Sequence, residues 1–138
     1  MIRRRFILTD LNKLRLRPED KDRDLEVIAR NADKMLFYSY FDGDQIVGIV
    51  GVIKINDNTC EVFVIGDKCA SRYARQIYKH SISFLEELQK TFGRIQAIVR
   101  TDWDIAIKYL DKMQFDAEGI LRRFGPNGDD YYLFARIR

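Results

Sequence analysis

Histidine occurs once in these 138 residues and cysteine twice. A single imidazole excludes a histidine-rich metal site. Cys60 and Cys69 lack both a metal-ligand spacing and the numbers for a disulfide framework, which points to a reducing compartment. No apolar run approaches the roughly 20 residues of a membrane span, and the basic N-terminus has no following apolar core, so no secretory signal is expected. The formal net charge is only +3, too little by itself to mean nucleic acid. Arg3-Arg4-Arg5 and the Arg15/Arg17 pair read as solvated clusters. Nucleic-acid binding through Arg3–Arg5, Arg122 and Arg123 has no recognition motif to support it. Repeats, low-complexity stretches and linkers are also missing. What is present is 46% hydrophobic and 33% charged residues, a balance that argues against disorder, in a length that suits one domain over residues 1–138. A cytoplasmic domain without membrane association is expected.

The chain alternates between strand and helix signals. Ile2–Leu8 reads as a first strand with Phe6 and Leu8 on one face, and Thr9 or Asp10 can cap a helical turn through Leu11, Leu14 and Leu16. Pro18, followed by Glu19, Asp20, Asp22 and Asp24, predicts a surface helix over Pro18–Asn31, with Ala32–Leu36 continuing as another turn. Phe37–Phe41 and Gln45–Ile55 predict strands joined by Asp42-Gly43, a hairpin signal. Gly48 and Gly51 inside the second strand predict a bulge or a close approach of another backbone or a ligand. After a turn at Asn56–Thr59, Cys60–Ile65 is the next strand.

The stretch that organises the rest is Cys60–Leu88. Its strand breaks at Gly66-Asp67 into a polar loop that feeds a long helix from about Ser71 to about Phe92. Ile77, Ser81, Phe84, Leu85 and Leu88 mark the helix's buried face. Strand, turn and helix start in succession make an anion site, because the first amides are unpaired and the helix dipole favours negative charge. Beyond Gly93, Ile95–Arg100 is a strand reached by a connection long enough for a parallel crossover. Asp102 or Trp103 opens a helix with Ile105, Ala106, Tyr109, Leu110 and Met113 on its apolar stripe. Phe115–Leu121 and Asp130–Ile137 form a last hairpin around Gly125-Pro126-Asn127-Gly128. The expected class is α/β, a sandwich of helices on a mixed, mostly antiparallel sheet.

That element order, with AIVRTDWDIAIKYLDKMQF over Ala97–Phe115 and the closing FDAEGILRRFGPNGDDYYLF, resembles the GNAT superfamily of N-acetyltransferases. In finer detail it resembles bacteriophage GNAT-like proteins such as the internal virion protein A family. That likeness rests on Leu16-Arg17-Pro18-Glu19-Asp20, Val64-Ile65-Gly66-Asp67 and Lys108-Tyr109-Leu110. The superfamily resemblance implies an acyl-CoA-dependent N-acyltransferase-like protein that takes acetyl-CoA and an amine acceptor, and its departures in the loop and the later helix imply a degenerate active site with weak or no activity. The phage resemblance implies a host-cytoplasmic or virion location, and as the alternative a non-catalytic virion or host-interaction protein.

The resemblance implies that acetyl-CoA meets the strand Phe63, Val64 and Ile65 and the loop residues Lys68, Ala70, Ser71, Arg72, Ala74 and Arg75. Superfamily enzymes use glycines in this loop so that consecutive amides can close around a diphosphate. Here those positions fall on Ala70 or Ser71 and on Arg72, with Ala74 at a third small site. Positive charge from Lys68, Arg72 and Arg75 stands in for glycine geometry, or is simply solvated. Glu61 is the candidate general base, with a purely structural carboxylate as the alternative. The tyrosine that protonates the departing thiolate in many superfamily members aligns with Leu110, the asparagine with Trp103 and the glycine of the closing Gly-Phe pair with Gln114. Tyr109, one residue and about 100° of helix away, is a catalytic candidate or a core aromatic. His80 reads as a boundary residue. Cys69 is a loop filler unless the helix start activates it.

Overall fold

The computed structural model describes residues 1–20, 28–30 and 35–138. Most of the helix expected over Pro18–Asn31 and of the turn over Ala32–Leu36 lies outside these residues. Within them Pro18–Asp20 is a 3-10 turn, residues 28–30 are helical, and Leu36 already belongs to a strand.

Among the described residues seven strands are present: β1 (Ile2–Arg5), β2 (Leu36–Asp42), β3 (Gln45–Asn56), β4 (Thr59–Gly66), β5 (Arg94–Arg100), β6 (Asp116–Leu121) and β7 (Tyr131–Ile137). Their order in the sheet is β1-β2-β3-β4-β5-β7-β6. Pairing of β4 with β5 is parallel, whereas β1–β2, β2–β3, β5–β7 and β6–β7 are antiparallel, so the sheet is mixed. Helices whose full range is described are α1 (Asp10–Lys13), α2 (Ala74–Gln89) and α3 (Asp104–Lys112). Helix α2 is the crossover that a parallel pair needs.

The chain forms two compact units, the first made of Met1–Ile53 and Phe63–Ile77. Its core is Phe37, Phe41, Ile46 and Ile49, with Phe6, Leu11, Leu14, Ile28, Met35 and Phe63 packed against it. Asp42 pairs with Gln45 across a two-residue loop, where Gly43 takes the positive φ (+58°) that such tight hairpins require. Gly48 meets the expectation, with the Ile65 carbonyl 3.0 Å from where its Cβ would stand and a bulge beside it, whereas Gly51 is approached by aromatic side chains instead of a backbone. Tyr40 pairs with Gly48 while Phe41 pairs with Ile46, a bulge at Val47. A Cβ on Gly51 would stand 2.3 Å from the Phe63 ring. The first strand is shorter than expected and Leu8 is 58% exposed. The cause is Asp10, which is fully buried. It accepts hydrogen bonds from Arg4 Nη1 and Nη2 (3.2 and 2.7 Å), the Ile7 amide (3.0 Å) and Ser39 Oγ (2.7 Å), and so turns the chain inward after Phe6. Thr9 is the N-cap of α1 but makes no side-chain cap bond, and Leu16 lies beyond that helix.

The second unit comprises Lys54–Val62 and Tyr78–Arg138. Strand β7 is paired on both sides, from Arg94↔Ile137 to Arg100↔Tyr131 with β5 and from Asp116↔Ala135 to Leu121↔Tyr131 with β6. Phe84, Leu85 and Leu88 of α2 are buried as the periodicity predicts, alongside Ile95, Ala97, Val99, Met113, Phe115 and Phe134. The stripe of α3 departs from expectation. It runs through Ala106, Ile107, Tyr109, Leu110 and Met113, rotated away from Ile105, which is 78% exposed. At the end of α3, Gln114 takes a φ of 67° and its amide donates to the Asp111 carbonyl, a left-handed helix stop that aims Phe115 into the core. Buried Arg136 donates through Nε to the Met113 carbonyl (3.0 Å) and through Nη1 to Gln89, whose Nε2 returns a bond to the Arg136 carbonyl (3.0 Å).

Candidate active site

The expected loop begins where β4 ends, in the first unit. Helix α2 starts at Ala74 rather than Ser71, because Ala70–Tyr73 winds as a tighter 3-10 turn. Five of the amides before it are already used. Asp67 N–H donates to the carbonyl of bulged Val47 (2.8 Å), Lys68 N–H to the Arg15 carbonyl (3.0 Å), Ala70 N–H to the Asp67 carbonyl (2.9 Å) and Arg72 N–H to the Cys69 carbonyl (3.0 Å). Cys69 N–H donates to Asp67 Oδ2 (3.0 Å). The Asp67 carboxylate is itself fully buried and accepts from the Arg15 amide (2.7 Å) and Arg15 Nη2 (2.8 Å). Burial alone would raise its pKa. The bonds from Arg15 and from the Cys69 and Arg15 amides outweigh that and hold it at about 2.

The candidate loop residues divide by exposure. Lys68, Ser71, Arg72, Ala74 and Arg75 are exposed, and Ala70 is buried. Upstream, Phe63 packs on Phe37 with ring centroids 5.6 Å apart, Ile65 is fully buried and Val64 is 49% exposed. The loop therefore offers three exposed cations at the entrance of α2, while the amides of Asp67–Ala70 face protein acceptors. A diphosphate fits this donor set through side-chain charge rather than through an amide cradle. Cys69 is 6% exposed. Its thiol pKa is raised, by burial and then by Asp67, which excludes the activated thiol considered above.

Glu61 lies in the second unit, half-buried. The parallel register of β4 on β5 runs from Thr59↔Arg94 to Glu61↔Gln96, so this carboxylate stands at its last pair. Gln96 Nε2 donates to Glu61 Oε1 (2.8 Å), and Arg94 Nε donates to Gln96 Oε1 (3.3 Å), which sets the orientation of the Gln96 amide. Arg94 is in turn held by Glu118 through two bonds of 2.9 and 2.6 Å. This chain positions Glu61 and leaves one carboxylate oxygen without a bond from Gln96.

Tyr109 faces α2. Its hydroxyl lies 3.3 Å from Ser81 Oγ, and its ring packs edge-on against Tyr78 at 6.2 Å. Burial pushes its pKa above the ordinary tyrosine value, against the effect of the Ser81 bond. One cleft of about 460 Å³ in the first unit is lined by residues that include Ile2, Arg4 and Phe41, and one of about 760 Å³ in the second by residues that include Arg122, Arg123 and Phe124; none of the candidates lines either.

Sequence reasoning missed Asp67, Arg15, Gln96 and Ser81. The Gly66-Asp67 pair carried a turn signal that explained it fully, and nothing in a sequence ties Asp67 to a residue 52 positions earlier. Gln96 had a legible trace, as a polar residue within an apolar strand.

Residues 19–132 match the sequence pattern of the acetyltransferase (GNAT) domain. The chain belongs to the GNAT acetyltransferase family. No curated protein matches it. Solved structures with the same fold include a ribosomal-protein-alanine N-acetyltransferase from Brucella melitensis, with 16% identity over 100% of both chains and a TM-score of 0.75. Ard1 from Thermoplasma volcanium is similar over 99% of this chain and 96% of its own, at 18% identity and a TM-score of 0.76. A spermidine/spermine N-acetyltransferase from Vibrio cholerae is similar over 99% and 91%, at 16% identity and a TM-score of 0.74. GNAT acetyltransferases generally use acetyl-CoA.

Proposed function

We propose that residues 1–138 form one GNAT domain acting as an acyl-CoA-dependent N-acyltransferase on an amine acceptor, with Glu61 as general base. The observation that carries this reading is Glu61 at the last pair of the β4–β5 register, oriented by Gln96 and Arg94. Lys68, Arg72 and Arg75 hold the diphosphate of acetyl-CoA, beside Ala70, Ser71 and Ala74. The backbone of Phe63, Val64 and Ile65 lies along its pantetheine. The bound thioester would supply an activated acetyl group, the new C–N bond forming at its carbonyl carbon as the C–S bond breaks and coenzyme A leaves as a thiol with a proton from solvent. Glu61 takes the proton that the acceptor nitrogen must lose to become nucleophilic, directly or through a water. Positioning and a base carry most of such a reaction, so a loop without glycines is compatible with it. An amine acceptor is supported by the printed activities of the structural relatives, an alanine N-acetyltransferase and a spermidine/spermine N-acetyltransferase.

The second reading is a non-catalytic phage virion or host-interaction protein of the same fold, in the host cytoplasm or the virion. It is favoured by the Tyr109 hydroxyl being engaged with Ser81 and by Leu110 at the position of the usual acid. The phage-like motifs Leu16–Asp20 and Gly66-Asp67 also meet, through a bridge between Leu16 and Asp67. Acetyl-CoA should raise the melting temperature by linkage of binding to stability, and Arg72→Glu should abolish that rise. Glu61→Gln, which keeps an oxygen for Gln96, should lower acetyl transfer to a primary amine by about 10²–10⁴-fold without changing stability. No thermal shift at millimolar acetyl-CoA or coenzyme A sinks the enzyme reading. Stoichiometric presence in purified particles would then establish the alternative.

A further inference from the structure

We propose that Asp67 is the positioning residue of the β4–α2 loop, an internal anion that, clasped by Arg15, presets the loop so that Lys68, Arg72 and Arg75 face outward for the diphosphate. This inference rests on the coenzyme A reading above and concerns how this chain builds that grip.

The β4–α2 junction brings a strand end and a 3-10 turn together, and both leave amides that need acceptors. In this chain one carboxylate meets much of that need. Its two oxygens collect the amides of Arg15 and Cys69 together with the Arg15 guanidinium, and its own carbonyl takes the Ala70 amide. The contact is reciprocal, because the Arg15 carbonyl accepts the Lys68 amide and Leu16 bridges to Asp67. Residues 15–17 thereby lie along the loop as a short strap. Arg17 completes it. A Cβ on Gly66 would meet its guanidinium carbon at 2.7 Å, and Asp20, 1% exposed, holds that guanidinium through bonds to Nε and Nη2 of 2.9 Å each. A side chain on Gly66 would push the Arg17 guanidinium out of this position.

A buried carboxylate with charge-assisted bonds is a rigid anchor, because breaking it strands a charge. The exposed cations gain from that rigidity. Lys68 follows Asp67 directly, and Arg72 and Arg75 lie on the 3-10 turn and on the first turn of α2 that the anchored segment launches. Holding them in place before binding removes an ordering cost that flexible side chains on a mobile loop would carry.

The test uses the full chain with Arg15→Ala and, as a second disruption, Asp67→Asn. Arg15 is more than half exposed, so its truncation leaves the core intact. The first readout is iodoacetamide alkylation followed by peptide mapping. Both cysteines are buried in the native protein, and each variant should alkylate Cys69 at least about tenfold faster while Cys60 stays silent. The second is affinity for coenzyme A against pantetheine, which lacks the diphosphate. The variants should lose about tenfold for coenzyme A and nothing for pantetheine. A merely structural role predicts equal losses for both ligands, and that result overturns the positioning assignment. Alkylation of Cys69 at the native rate overturns the clasp itself. If the native protein binds neither ligand, the coenzyme A reading and the positioning role fail together, while alkylation still decides whether Asp67 holds the loop.

Discussion

At the scale of single residues, two side chains stand in conformations or charge states that have measurable consequences. Asp67 has a pKa of about 2 in the fold against 3.8 for the unperturbed group. A folded pKa below the unfolded one contributes stability that is complete above about pH 4 and is lost as the pH falls towards 2. Acid titration of unfolding should therefore show a loss of stability in that window, and Asp67→Asn should flatten it at the cost of a lower plateau at neutral pH. Gln114 carries a φ of 67°, a region that costs a non-glycine residue about 1 kcal/mol. Gln114→Gly should raise stability by about 0.5 kcal/mol, the relief of strain being partly offset by the greater freedom of glycine in the unfolded chain. Chemical denaturation of the two proteins measures this. The resemblance implied a glycine at the position of Gln114, but the left-handed backbone there became legible only in the fold.

At the scale of elements, the hairpins and the crossover were legible because each rests on local chemistry. Asp42-Gly43, Gly125–Gly128 and the spacing of Phe84, Leu85 and Leu88 specify a turn or a face from neighbouring residues alone. Helix ends were less legible. The start of α2 moved from Ser71 to Ala74 because hydrogen bonds around Asp67 and Cys69 wind the preceding residues more tightly. The stripe of α3 rotated away from Ile105, a choice made by what the helix packs on. Strand β3 supplies the element-scale test. A methyl on Gly51 would fall 2.3 Å from the Phe63 ring and 2.9 Å from the Phe37 ring. Those rings pack on each other, so neither can swing aside freely. Gly51→Ala should cost about 1–3 kcal/mol, read as a lower denaturation midpoint with an unchanged slope.

For the molecule as a whole, a donor grip made of exposed Lys68, Arg72 and Arg75 has a signature that an amide cradle lacks. Charges at the surface are screened within about 8–10 Å at ordinary salt. Coenzyme A affinity should therefore fall several-fold as sodium chloride rises from about 0.05 to 0.5 M, with little effect on pantetheine. Calorimetric titration across that range checks it, and a salt-independent affinity would return the grip to backbone amides. The α/β class and the mixed sheet followed from the sequence by itself, since they depend on periodicity, turn residues and element order, all written locally along the chain, and the GNAT resemblance rested on that order with the stretches Ala97–Phe115 and Phe115–Phe134. Only the tertiary structure decided how the loop is held, which amide orients Glu61 and where the Tyr109 hydroxyl goes. Those outcomes join Arg15 to Asp67, Gln96 to Glu61 and Ser81 to Tyr109, and the chain brings such distant partners together only once burial has made an unpaired charge or hydroxyl too costly to leave.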